Sequence, residues 1–180
     1  MIYRYTDCVR ECAGYYNVKK AIEAGELFQI EKGIYSDQPM ESQLAVIAAK
    51  YPKAVFTMNS AFYYHGLTDD VPDRYFLATD KNAAKIRDKR VSQIFENSKH
   101  LTLGAEAISV ESVVISMYSK ERMLIELLRN KNKLPNDYYK EILQNYRRLI
   151  ASLDIQSIEE YMNALPKKKM IEKALQSEVF

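Results

Sequence analysis

The sequence predicts an α+β protein: an N-terminal winged helix-turn-helix, then a mixed α/β domain that ends in a helical C-terminal part. Three observations predict it. Residues 5–35, YTDCVRECAGYYNVKKAIEAGELFQIEKGIY, offer a helix, a glycine turn, a second helix and a small hairpin. Between residues 54 and 118, short strand-like runs alternate with polar loops, and VVISMY at 113–118 is the most strand-like run in the chain. From Ser119 onward the apolar residues recur at helical spacing. The expected domains are therefore 1–37, the winged module, and 40–180, with strands and helices to about 118 and helices over 119–180.

The first helix is expected over residues 5–12, with Thr6 as N-cap and Asp7 near the positive end of the helix dipole. Ala13-Gly14 breaks it. The second helix spans about 16–24 and buries a stripe of Val18, Ala21 and Ile22, and Gly25 ends it. Its other arc carries Tyr16, Asn17, Lys19 and Lys20, side chains that reach phosphates and base edges in a helix-turn-helix. Residues 27–30 and 34–35 form a hairpin. Glu31-Lys32-Gly33 is its turn, which places Lys32 at the tip of the wing.

Residues 37–39 read as a linker. A helix with Leu44, Ile47 and Ala48 on one face follows, and Pro52 stops it. A buried strand over 54–57 leads to a brief helix capped by Asn59 or Ser60 and closed by Gly66. Strands are expected at 74–79, 91–96, 106–110 and 113–118. Ser119 caps a helix over 120–130, and three more helices fill 138–150, 157–165 and 168–177. The 14 tyrosines, in a chain without tryptophan, are expected mostly at the boundary between core and water.

Composition narrows the function classes. Apolar residues make up 47% of the chain, enough for a real core. No apolar run approaches the roughly 18 residues that span a bilayer. The N-terminus lacks a secretory h-region, so the expected location is cytoplasmic, with no membrane partner. The net charge is +2, with basic residues clustered at 81–90 (KNAAKIRDKR, five cations against one Asp) and at 167–169. Lys85, Arg87, Lys89 and Arg90 in the first cluster are candidates for phosphate contact. Residues 1–37 hold five basic and six acidic residues, a net of −1. The module is thus expected to bind nucleic acid in pairs, or with help from the rest of the chain.

No catalytic constellation emerges. The five glycines are scattered, which excludes a P-loop or a dinucleotide fingerprint. Cys8 and Cys12 share a helix face and read as core residues rather than metal ligands. Asp69, Asp70 and Asp73 lack the alternation of a calcium loop. His65 reads as a cap or packing residue, and His100 has no local partner. Glu121, Arg122, Glu126 and Arg129 read as a charged helix face with ordinary i, i+3 ion pairs. No enzyme activity, metal or cofactor is expected.

Three stretches carry a family resemblance. The N-terminal YYNVKKAIEAGELFQIEKGIY resembles the winged helix of AbiEi-type antitoxins, the transcriptional-regulator halves of bacterial abortive-infection toxin–antitoxin pairs. YPKAVFTMNSAFYYHGLTDDVPDRYFLATD is similar to that family's strand, helix, HGLTD and strand run. VVISMYSKERMLIELLR resembles its strand ending in Tyr, followed by Ser/Thr-x-Glu-Arg-Thr and an Asp-Leu-Leu/Ile-Arg helix. Met123 stands where the family often has Thr, and Glu126 where it often has Asp. The resemblance implies a repressor that binds inverted repeats of double-stranded DNA in its own promoter. It also implies a C-terminal domain needed against a nucleotidyltransferase-type toxin. The alternatives are an antitoxin that acts mainly by binding its toxin directly, and an unrecognised small nuclease or transferase.

Overall fold

The computed structural model describes residues 1–179, which form an α+β protein of two compact units, Met1–Lys53 and a second from Ala54 onward. In the first unit, β1 (Ile2–Arg4) runs directly into α1 (Tyr5–Glu11). Then come α2 (Tyr15–Glu23), β2 (Phe28–Glu31), β3 (Ile34–Ser36) and α3 (Gln43–Lys50). The three strands form an antiparallel sheet in the order β1-β3-β2. Strand β1 has no counterpart among the sequence expectations, because three residues are too few to show a period. It pairs Ile2 with Ser36 and Arg4 with Ile34. It also moves the helix start: Arg4 occupies the cap position, and Thr6 lies inside the first turn.

Cys8, Val18, Leu27 and Tyr35 form the core between the two helices and the sheet, with Tyr3, Val9, Cys12 and Ala21 packed around them. Helix α3 packs on β1 and β3. Ser42 caps it by accepting from the Ala45 N–H at 3.1 Å, and Leu44, Ala45, Val46 and Ile47 are buried. The first unit thus continues to Lys53 and includes α3. Residues 37–39, expected to separate two domains, are a connection inside it.

The second unit holds a five-stranded mixed sheet in the order β6-β5-β4-β8-β7. Its strands are β4 (Val55–Phe56), β5 (Tyr75–Asp80), β6 (Val91–Glu96), β7 (Ala105–Val110) and β8 (Val113–Tyr118). The pairs β4/β8 and β5/β6 are parallel, and β4/β5 and β7/β8 are antiparallel. Its helices are α4 (Met58–Tyr64), α5 (Lys120–Arg129), α6 (Asn136–Leu149), α7 (Ile155–Ala164) and α8 (Lys168–Ala174). The α4 cap is Thr57, not Asn59 or Ser60. Ser60 is buried instead, and its Oγ accepts from the Phe76 N–H at 2.8 Å, fixing α4 to β5.

Helix α5 organises this unit. Ser119 caps it by accepting from the Arg122 N–H, and every residue from Arg122 to Leu128 is buried. It packs against α4, α6, α7 and α8. Besides Tyr35 in the first unit, three tyrosines expected at the boundary belong to the core of this one: Tyr118, Tyr139 and Tyr146. Each keeps its hydroxyl satisfied, Tyr118 on the Leu101 carbonyl, Tyr139 on the Glu178 carboxylate and Tyr146 on the Lys120 carbonyl.

Candidate nucleic-acid interface

In the first unit, the turn between α1 and α2 depends on two residues with positive φ, Ala13 (53°) and Gly14 (136°). Asn17 Nδ2 closes the turn by donating to the Cys12 carbonyl at 2.7 Å. One amide N–H of this candidate base reader is therefore engaged in holding the turn. Val18 and Ala21 face the core, whereas Ile22, expected in the same stripe, is 38% exposed. The exposed arc holds Tyr15, Tyr16, Lys19 and Lys20. Lys20 Nζ lies 4.8 Å from the Tyr16 ring centroid, a cation–π contact on the open surface. Lys19 is 3.9 Å from Glu23, a loose exposed pair that competes little with a phosphate.

The β2–β3 hairpin turns at Lys32-Gly33, with Gly33 at φ 83° and Lys32 exposed at the tip. The register slips between Gln29 and Glu31, a bulge that twists the hairpin. Lys50 of α3 pairs with Glu31 at 3.0 Å, tying the hairpin base to the helix behind it.

The other four candidates, Lys85, Arg87, Lys89 and Arg90, belong to the second unit. They lie on the ten residues, 81–90, that link the parallel strands β5 and β6. Such crossovers usually contain a helix of their own. Here the chain returns as a strap. Gln93 of β6 holds it: its Oε1 accepts from the Ile86 N–H at 2.8 Å, and its Nε2 donates to the Ala84 carbonyl at 3.1 Å and to Thr79 Oγ1 at 2.8 Å. Exposure alternates along the strap, with Lys85, Arg87 and Lys89 outward and Ile86, Asp88 and Arg90 half-buried. Arg90 grips Asp88 in a two-point ion pair at 3.0 and 2.8 Å. The strap thus presents three of the four candidate cations to solvent, together with Lys81, and Arg90 serves its internal structure.

Of the four residues read from sequence as a charged helix face, Arg122, Glu126 and Arg129 instead join a largely buried network, while Glu121 stays half-buried outside it and accepts from the Asp154 N–H at 3.2 Å. Arg122 is fully buried, and all five of its N–H groups are used. Nε and Nη2 donate to Glu126 Oε1 at 3.1 and 2.8 Å, and Nη2 also donates to Glu96 at 3.3 Å. Nη1 reaches the carbonyls of His100 and Leu103 at 3.3 and 3.2 Å. The guanidinium lies 4.6 Å from the Tyr118 ring centroid. Arg129 Nη1 completes the network on Glu126 at 2.7 Å. Gly104 is required beside it: its φ is 71°, and an added Cβ would sit 2.7 Å from Arg122 Cβ.

His65 ends α4 and joins it to β8, with Nε2 donating to the Tyr118 carbonyl at 2.7 Å. Burial pushes its pKa below the ordinary 6.5, against the opposing pull of that hydrogen bond. Among the described residues, no group of three or more His, Cys, Asp or Glu is placed to hold a metal ion. No described helix is long and apolar enough to cross a membrane.

No protein-family model matches the chain, and no curated protein matches it. Among solved structures, the chain is similar to the RV2827C protein from Mycobacterium tuberculosis. The TM-score is 0.60 at 15% identity, over 99% of this chain and 72% of that one. At this identity the likeness is one of fold, and it spans both units.

Proposed function

We propose that this chain is a cytoplasmic DNA-binding repressor and antitoxin of the AbiEi type. One observation carries the reading: α2 and the tip of the β2–β3 hairpin expose Tyr16, Lys19, Lys20 and Lys32, in a unit whose element order suits a winged helix-turn-helix. Strand, helix, tight turn, helix and hairpin succeed one another in 35 residues, and the sheet order β1-β3-β2 places the hairpin on the sheet edge. In this reading α3 supplies the third helix of the module from the C-terminal side. Tyr16 and Lys20 enter the major groove with the free face of Asn17, while Lys19 and Lys32 hold phosphates. The target is double-stranded DNA with inverted repeats, bound by pairs of chains.

The antitoxin half of the proposal rests on the resemblance of the second unit's strand and helix runs to that family. Its functional partner is a nucleotidyltransferase-type toxin. The promoter half is tested by a gel-shift salt series on DNA from upstream of the gene. Lys20→Ala with Lys32→Ala lowers operator affinity through the lost groove contact, and it flattens the dependence of log K on log salt by about 1 for the lost phosphate contact of Lys32. Unchanged affinity and slope would remove this surface from the interface.

A further inference from the structure

We infer that the second unit carries a binding site for a small organic anion with a flat apolar body, separate from the nucleic-acid surface. The site is a cleft of about 460 Å³ between the sheet and the segment that follows α5. This volume lies within the roughly 300–1,000 Å³ of small-molecule sites. One wall is apolar, made by Phe76, Ile94 and Leu134.

The other wall is charged. Glu96 and Glu126 line the cleft, but both are engaged by the buried Arg122 and by Arg129. Two carboxylates thus face two guanidinium groups. Lys133 also lines the cleft and has no carboxylate partner among the described residues. Arg129 contacts the carboxylates through Nη1, which leaves Nε and Nη2 without a hydrogen bond among the described residues. With the buried Arg122 behind it counted, the groups at the cleft sum to +1, with donors to spare beside an apolar wall that includes the Phe76 ring. That combination selects an anionic group on an apolar ring and disfavours cations and neutral polyols.

Two features indicate a pre-formed site. Arg129 is held at the end of a network whose central arginine has no free N–H, so its position is set before any ligand arrives. Met58, at the edge of the cleft, has φ 43°, a strained value for a residue with a side chain. Such strain collects at ligand sites and switches.

The test is an amide-shift titration of the isotope-labelled full chain with phenyl phosphate, benzoate, inorganic phosphate and benzyl alcohol. Phenyl phosphate or benzoate is expected to shift amides at 57–59, 94–96 and 129–135, and the tighter of the two identifies the preferred anion. Inorganic phosphate and benzyl alcohol, each holding half of the ligand, are expected to bind at least about tenfold more weakly. Lys133→Ala and Leu134→Ala, both in the segment that follows α5, are expected to weaken phenyl phosphate about tenfold while leaving the rest of the spectrum in place. Equal binding by both variants, inorganic phosphate binding as tightly as phenyl phosphate, or shifts confined to the strap 81–90 would overturn the proposal. None of these outcomes depends on DNA binding.

Discussion

Arg122 shows why a buried charge is tolerated here. A guanidinium in an apolar interior is unfavourable unless every N–H finds an acceptor and the charge is balanced. Its five N–H groups find two carboxylates and two backbone carbonyls. Replacing it with Met leaves Glu96 and Glu126 facing only Arg129, so Arg122→Met should cost about 3–5 kcal/mol of stability, measured by chemical denaturation. Arg122→Lys should recover little, because an ammonium offers three donors and no planar fork. Adding Glu126→Gln to Arg122→Met should restore part of the loss, and a double mutant no more stable than the single would show that the charge balance is unimportant. The sequence contained this network in a form hard to read. Glu126 and Arg129 have the spacing of any surface pair, and Glu96 and Gly104 lie far away in the chain. The usable signal was the apolarity of α5 on all sides: Met123, Leu124, Ile125, Leu127 and Leu128 leave no solvent face for Arg122 and Glu126.

At the scale of elements, the joints between helices and strands rest on single side chains. His65 joins the end of α4 to the end of β8, and burial favours its neutral form, in which Nε2 carries the proton that the Tyr118 carbonyl accepts. Its folded pKa lies below the unfolded 6.5, so the unfolded chain binds the proton first. The contribution is complete above pH 6.5 and is lost as pH falls from there through the lowered folded value. Unfolding free energy should therefore decline as pH falls below about 6.5, and His65→Gln should flatten that part of the profile. An identical profile in the variant would assign the decline to other groups. Elements with strong periods were legible: 91–96 and 113–118 match β6 and β8, and the helix after Ser119 starts where its cap predicts. Strand β1 was not, because its only support is a partner 32 residues away, Tyr3 opposite Tyr35 on β3. Nor was the role of the strap, since the pattern KNAAKIRDKR does not reveal that Gln93 fastens it.

At the scale of the whole molecule, charge is divided unevenly. Residues 1–53 carry seven basic and seven acidic residues, and the remaining 127 carry the entire net charge of +2. Under the proposed function, a DNA-binding unit without net charge gains little from counterion release, so the contacts proposed for α2 and the hairpin need supplementing for useful affinity. The strap is the best candidate in the second unit. Its outward cations fall on alternate residues of an extended segment, about 6.5–7 Å apart. A nucleic-acid backbone sets successive phosphates at a comparable separation, and the contact carries no base information. Replacing Lys85, Arg87 and Lys89 together with Gln should therefore weaken binding equally to operator and to unrelated duplex. The slope of log K against log salt should fall by about 3, with the ratio of specific to non-specific affinity unchanged. The Lys20 and Lys32 double variant should behave differently at Lys20, where loss of a groove contact lowers the ratio itself. The two variants thus separate reading from holding. If the triple variant keeps the full salt slope, the strap does not touch DNA, and its exposed cations are left for an acidic protein partner.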